Sequence, residues 1–165
     1  MNPNHKFAKE VFERCSRVMI SLTCLPQPVH FARVHEAAFA AGCQLVTQCD
    51  LAVASADARF ATSGVKFWLF CSTPGVALAR NVSRKQEMEM LLTGEPIDAQ
   101  TALVCGVVNR VVPSDRLDEG IAGPVKSILP RPRWRSQREN ACSTSRPMPR
   151  SKAPASSQPR RWSAV

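Results

Sequence analysis

The stretch AAFAAGCQLVTQCDLAVAS, residues 37–55, contains the two local patterns that decide the fold. Ala37–Cys49 is dominated by alanine and other small residues, which predicts a closely packed helix. Leu51–Ser55 is an uninterrupted apolar run of strand length, which predicts a buried β-strand. The first N–H groups of a helix are unpaired and carry partial positive charge, and small residues beside them let a ligand approach the backbone closely.

The alternation of helical and strand patterns continues on both sides of this stretch. Residues 5–23 carry apolar side chains at three- and four-residue spacing, which predicts an amphipathic helix that ends before Pro26. The remaining expected elements are strands at residues 29–34, 59–62 and 107–112, and helices at residues 84–94 and 99–106. Strands that alternate with helices in this way predict an α/β domain over residues 1–120.

Three polar residues and one set of apolar residues are expected to have structural roles. Ser83 and Asp98 are expected to cap the two later helices, and Asp50 is expected to stabilise the turn between the first small-residue helix and its strand. The apolar residues 88 and 90–92 are expected to face the core.

The charge of the chain is concentrated at its C-terminal end. The net charge is +9, yet residues 1–120 hold 12 basic and 12 acidic side chains, and residues 121–165 hold ten basic side chains and one acid. The same segment contains seven of the 13 prolines, so we expect residues 121–165 to form a disordered tail that is not native to the domain. Nucleic-acid binding by the folded part is therefore not expected, although a basic tail that binds nucleic acid or anionic surfaces remains an alternative.

Several classes of protein are disfavoured by composition. The seven cysteines are odd in number and include no Cys-x-x-Cys, which argues against a metal site or a disulfide framework and predicts reduced thiols. No stretch reaches 18 uncharged apolar residues, so no membrane span is expected. The first residues show neither a secretory signal nor a transit peptide.

Four motifs together resemble one enzyme family. Gly42-Cys43-Gln44 followed by Cys49-Asp50, and the segments 60–65, 93–102 and 106–113, are similar to the signatures of the crotonase (enoyl-CoA hydratase/isomerase) superfamily. The resemblance covers residues 7–119. It implies part of a spiral of repeated ββα turns, an acyl-CoA thioester as substrate or ligand, no further cofactor, and assembly into trimers or hexamers. It also implies a mitochondrial role in acyl-CoA and fatty-acid metabolism.

The resemblance also assigns the site residues. It places one backbone oxyanion donor at Ala41, with Gly42 beside it, and places the second donor in an earlier half of the domain that this chain lacks. The two positions that carry catalytic glutamates in the family are Gln44 and Gly64 here. An amide can orient a water molecule but cannot take its proton, and glycine has no side chain. Hydratase activity is therefore expected to be weak or absent.

The sequence is compatible with two hypotheses about the function of this site. In the first, the chain keeps the family's stabilisation of a thioester oxyanion by backbone N–H groups. In the second, it is a non-catalytic acyl-CoA-binding or assembly subunit. His35 and Glu36 stand where the family usually has Asn-Gly, and His35 is expected to be a partly exposed structural residue, because no acid or nucleophile can be placed beside it.

Overall fold

The computed structural model describes residues 3–25, 29–67 and 72–130. The six helices among them are α1 (Pro3–Cys24), α2 (Ala41–Gln48), α3 (Ser72–Leu78), α4 (Arg84–Thr93), α5 (Ala99–Cys105) and α6 (Leu117–Ile128). The six strands are β1 (Phe31–Val34), β2 (Ala37–Phe39), β3 (Leu51–Ser55), β4 (Arg59–Ala61), β5 (Ile97–Asp98) and β6 (Arg110–Val112). Short 3₁₀ helices occupy Ser63–Phe67 and Ser114–Arg116.

The first four strands alternate between two small sheets, and β5 and β6 add one strand to each. The first sheet has the order β1-β3-β6 and is parallel throughout, with Val53 at the centre opposite both Arg33 and Arg110. The second has the order β2-β4-β5, with a parallel β2–β4 pair and an antiparallel β4–β5 pair. The pairs β1–β2 and β3–β4 each contribute one strand to each sheet before the chain continues into a helical segment, whereas α5 separates β5 from β6. This arrangement confirms the expected α/β class and the repeated ββα pattern.

The core is formed where the two sheets meet the helices. Phe60 on β4, Leu78 at the end of α3 and Leu91 on α4 are each almost completely buried. Four of the five residues of β3 are buried as well, because that strand has a neighbour on each side. Burial of this apolar surface is the main stabilising contribution that holds the helices on the sheets.

The expected helix over Ala37–Cys49 is wrong in its first part. Ala37–Phe39 form β2, and the helix begins only at Ala41. Ala38 lies opposite Phe60 in the sheet and is buried, while its two neighbours point to the exposed face. Alanine prefers the helix, but this intrinsic preference is a small energy per residue, and pairing with β4 outweighs it.

The disorder expected from residue 121 is wrong for the first part of that segment. Helix α6 continues to Ile128, so residues 121–128 are helical. The helix is held by Leu117, which is buried, and by Gly120, where an added Cβ would come within 3.0 Å of Val53 and 3.1 Å of Val112. The sequence does not predict this helix, because proline usually interrupts a helix. In the structure, however, Pro124 lies inside α6. Residues 131–165 lie outside the described residues.

Two of the smaller structural assignments require correction. Asp98 does cap α5, since its carboxylate accepts a hydrogen bond from Thr101 N–H at 2.7 Å. Ser83 stands at the N-terminal end of α4, but its hydroxyl donates to the Gln86 side chain at 2.8 Å and makes no capping bond. In the described part of the chain, residues 90 and 91 of α4 are buried as expected, whereas residues 88 and 92 are exposed.

Candidate active site

The turn between β2 and α2 places a strained residue at the end of the strand. Ala40 has φ 48° and ψ −114°, a backbone conformation that glycine adopts far more readily than alanine. Its N–H donates to the Ala61 carbonyl at 2.9 Å, which ties the end of β2 to the end of β4. Its carbonyl accepts from Gln44 N–H at 3.1 Å and so begins helix α2. The first bond fixes the peptide before Ala40, and the second fixes the peptide that joins Ala40 to Ala41.

The orientation of that peptide determines where the Ala41 N–H points. The Ala40 carbonyl is directed along α2, toward its C-terminal end, because it accepts the first helical hydrogen bond. In a trans peptide the N–H is antiparallel to the carbonyl, so the Ala41 N–H points out of the N-terminal end of α2. No carbonyl group within the described ranges accepts a backbone hydrogen bond from it.

A cavity of about 390 Å³ lies at this end of α2. It brings together three of the four site residues predicted from the sequence, Ala41, Gln44 and Gly64. Gly42 is not part of its lining, and an added Cβ there would meet nothing within 4 Å. The volume is in the range of pockets that bind small molecules. The roles assigned to these four residues stay predictions.

The remaining walls come from elements on either side of α2. Helix α1 contributes Phe12, Cys15 and Ser16, which lie on one face because they are spaced by three and four residues. The start of α3 contributes residues 72–74. The sequence reasoning missed these residues. The apolar spacing along residues 5–23 does identify this face of α1, but it does not indicate which element lies against it.

The polar groups of the cavity are neutral ones. The described lining residues contribute the Gln44 amide, the hydroxyl groups of three Ser and Thr residues and the Cys15 thiol, and they include no Asp, Glu, His or Lys. General acid–base catalysis needs a group that exchanges protons near neutral pH, and a carboxylate or imidazole usually supplies it. The described lining therefore provides hydrogen bonds and dipoles, without a carboxylate or imidazole for proton transfer.

The two nearby histidines have structural surroundings. His35 is exposed, is not part of the cavity lining, and its carbonyl accepts from the Ser55 hydroxyl at 2.8 Å. His30, which the sequence reasoning did not single out, donates its backbone N–H to Asp50 at 2.8 Å, and its Nδ1 lies 3.1 Å from the same carboxylate oxygen. Asp50 thus links the start of β1 to the α2–β3 turn, as its predicted structural role requires.

Within the described residues, no disulfide bond is formed by Cys15, Cys43, Cys49 or Cys105. Burial raises the pKa of Cys49, and the neighbouring Asp50 carboxylate raises it further. Burial also raises the pKa of Cys105, with a smaller contribution from Glu89. Across the described residues, no group of three or more His, Cys, Asp or Glu side chains is arranged to hold a metal ion. No described helix is both long enough and apolar enough to cross a membrane.

Known proteins of one family resemble this chain. The sequence model of enoyl-CoA hydratase/isomerase matches residues 2–137. Human mitochondrial enoyl-CoA hydratase domain-containing protein 3 is 58% identical over 110 residues, which are 67% of this chain and 36% of that protein. Mitochondrial enoyl-CoA hydratase of Pongo abelii is 37% identical over 102 residues, 59% of this chain and 34% of that protein. The chain thus spans about a third of the length of these curated relatives.

Solved structures agree with the sequence matches. Enoyl-CoA hydratase of Mycobacterium smegmatis superposes with a TM-score of 0.78 at 51% identity, covering 85% of this chain and 54% of that one. Human enoyl-CoA hydratase domain-containing protein 3 superposes with a TM-score of 0.76 at 47% identity, covering 83% and 54%. The match over most of the sequence, together with the repeated ββα arrangement, shows that the chain belongs to the enoyl-CoA hydratase/isomerase family.

Proposed function

We propose that this chain binds acyl-CoA thioesters, with the thioester carbonyl at the N-terminal end of α2. The single observation that carries the proposal is the Ala41 N–H, which points out of the helix beside a cavity that Gln44 and Gly64 also line. The N-terminal end of a helix attracts negative charge, and a thioester carbonyl gains negative charge when an enolate forms. The chain spans only part of the length of its relatives, and we propose that it shares their acyl-CoA ligands.

The chemistry of this site is oxyanion stabilisation with little proton transfer. An N–H that is fixed by the fold stabilises a developing oxyanion without a cost of reorganisation during the reaction. The Gln44 amide can orient a water molecule or an acyl substituent, but it cannot act as a base. We therefore propose that hydration of an enoyl-CoA is weak or absent in this chain.

The neutral lining favours a second candidate function. A protein that binds an acyl-CoA, or that supports the assembly of related subunits, needs the cavity and the helix N-terminus but no carboxylates. Gln44 and Gly64 are the observation that favours this non-catalytic role. Under either function we propose a mitochondrial location, a role in acyl-CoA and fatty-acid metabolism, and a homotrimer or hexamer. The mitochondrial names of the similar proteins support that location.

Infrared spectroscopy of a labelled ligand tests the proposed contact directly. Butyryl-CoA that carries ¹³C at the thioester carbonyl is titrated into the full chain. We expect saturable binding and a shift of the carbonyl stretch to lower wavenumber, because a hydrogen bond from Ala41 N–H polarises the carbonyl. Binding without a shift would contradict the oxyanion contact, and no binding of any acyl-CoA would contradict the proposed function.

Matched variants at one position separate the amide from the side chain. Ala41→Pro removes the N–H, and proline is tolerated at the first position of a helix. Ala41→Gly keeps the N–H and serves as the control. We expect the wavenumber shift to vanish in the first variant and to persist in the second. Crotonyl-CoA hydration measured on the same samples then distinguishes a slow hydratase from a binding subunit.

A further inference from the structure

A second depression, a groove of about 340 Å³, continues from the candidate active site. The two share Ser16, Gln44 and Thr73 in their lining, so the groove opens beside the end of α2 that carries Ala41. It follows the surface between α1, α2 and α3. A ligand that places its thioester carbonyl at Ala41 therefore has a continuous path into this groove.

The lining of the groove is mostly apolar and contains one cation. Beyond the shared residues it consists of Met19, Ile20, Val76 and Ala77, the neutral amide of Gln48, and Arg80, which is the charged residue among the described residues of the lining. Arg80 lies two residues beyond the end of α3, whereas Thr73 lies in its first turn. The two residues are therefore separated by about 10 Å, the length of seven residues at the helical rise. An apolar groove with a cation away from the shared residues fits a hydrocarbon chain with an anionic end.

The turn that carries Arg80 is anchored, and within the described residues no carboxylate neutralises its charge. The neighbouring Asn81 side chain donates to the carbonyl oxygens of Thr47 at 2.9 Å and Ala77 at 2.8 Å, which anchors the turn after α3 to α2. Arg80 itself forms no salt bridge with a carboxylate within the described ranges. The groove lining described here also contains no acidic residue.

We propose that the groove selects acyl-CoA thioesters whose acyl chain ends in a carboxylate, with Arg80 binding that carboxylate. This inference rests on the proposed function, because it takes the thioester to lie at Ala41. Guanidinium pairs well with a carboxylate, through two parallel hydrogen bonds. The phosphate and nucleotide portion of CoA is a poorer occupant, since Met19, Ile20, Val76 and Ala77 give the groove a largely apolar lining.

Binding of carbon-matched ligands to the full chain tests the proposal. Adipyl-CoA and suberyl-CoA are compared with hexanoyl-CoA and octanoyl-CoA by isothermal titration calorimetry. We expect the carboxylated ligands to bind about 1.5-fold to fivefold more tightly, the range of a single solvent-accessible ion pair. The preference is expected to disappear in Arg80→Gln, to persist in Arg80→Lys, and to persist in Arg84→Gln, which alters an exposed arginine outside the groove.

Each other outcome overturns the inference in a recognisable way. If all four ligands bind equally to the unaltered chain, the carboxylate selection is wrong while the proposed function stands. If Arg80→Gln weakens the charged and uncharged ligands alike, Arg80 contacts the CoA portion instead. If Arg80→Gln lowers the melting temperature and leaves the preference intact, Arg80 only compensates the C-terminal end of α3. If no acyl-CoA binds, the proposed function itself fails.

Discussion

Ala40 stores backbone strain at the position where the site is built. An alanine with positive φ costs about 1–3 kcal/mol, and the structure pays this because two hydrogen bonds fix its peptide groups. The strained turn directs the Ala40–Ala41 peptide so that the Ala41 N–H leaves the end of the helix. Residue-level strain is thus directly connected with the direction of the proposed oxyanion donor.

Replacing Ala40 by glycine is expected to stabilise the protein. Glycine adopts this conformation without the steric conflict of a Cβ, which outweighs its greater freedom in the unfolded chain. We expect Ala40→Gly to raise the free energy of unfolding by about 0.5–1 kcal/mol in urea denaturation. Ala41→Gly, one residue later and inside the helix, is the control and is expected to lower it by up to about 1 kcal/mol. If both variants change the free energy of unfolding in the same direction, the backbone at Ala40 is not strained.

Asp98 gives the stability of the chain a pH dependence. The backbone hydrogen bond from Thr101 holds the pKa of this carboxyl below its usual value of 3.8. A lowered pKa in the folded state contributes stability above pH 4, and that contribution is lost as the pH falls through the folded value. We expect Asp98→Ala to melt at a lower temperature than the unaltered protein at pH 7, and this difference to narrow below pH 4.

Asparagine at the same position is the matched control. Asp98→Asn keeps an oxygen that accepts the Thr101 hydrogen bond, but it does not titrate. The difference in melting temperature between Asp98→Asn and Asp98→Ala is therefore expected to stay constant between pH 3 and pH 7. If the melting temperatures of Asp98→Asn and Asp98→Ala also converge below pH 4, the pH dependence arises from another group and not from the Asp98 carboxyl.

The sequence predicts part of this site and cannot predict the rest. Ala41 and Gln44 lie in one motif, and Gly64 is placed by the family resemblance, so their meeting in one cavity follows from local spacing and similarity. Phe12 and Cys15 belong to a helix whose apolar face is visible in the sequence. Which element that face meets depends on tertiary packing, and a single periodic pattern contains no information about its partner.

At the scale of whole elements, β2 and α6 are two of the elements that local patterns misjudge, and α3 and β5 are not predicted either. Ala37–Phe39 contain no β-branched residue, and they become a strand only because β4 pairs with them. Helix α6 contains two glycines and a proline, and it forms because Leu117 is buried and Gly120 fits closely against β3 and β6. In both cases long-range contacts outweigh the intrinsic preference of the residues.

The attachment of α6 should depend strongly on one side chain. Leu117 is 1% exposed, and its truncation leaves a cavity that the surrounding structure fills only in part. We expect Leu117→Ala to lower the free energy of unfolding by about 2–5 kcal/mol in urea denaturation. Leu129→Ala, at a site that is 76% exposed just beyond the same helix, should change it by less than about 0.5 kcal/mol. Equal effects would mean that α6 does not pack on the sheet.

At the scale of the whole molecule, apolar and hydrogen-bonding surface is left uncovered. Within the described ranges, β1 pairs with β3 alone and β2 with β4 alone, so each presents an open edge. Helix α1 adds an apolar stripe of Phe7, Val11 and Val18, which are 70%, 47% and 55% exposed and lie on one face. Open strand edges and apolar stripes favour association between chains.

Self-association of the chain is therefore expected to depend on α1. We expect sedimentation velocity to show concentration-dependent association of the unaltered chain. Phe7→Lys combined with Val11→Lys should lower the associated fraction at equal concentration, because charge on the stripe opposes its burial. Val104→Lys, at an exposed apolar site on α5, is the control and should leave the associated fraction unchanged. An equal reduction by the control would assign the effect to net charge instead of to the stripe.

Strand β3 has a consequence for how the molecule opens. It lies between β1 and β6, and the Asn109 side chain accepts from Ala52 N–H at 2.7 Å while Asn109 N–H donates to the Ala52 carbonyl at 2.9 Å. Because its amide groups point alternately to the two sides, water reaches all of them only after β1 and β6 have both separated from it. Transferred into D₂O, the protein should therefore retain its amide protons longest along β3, and their slow loss should report the opening of the whole fold, unlike the quick exchange at its edges.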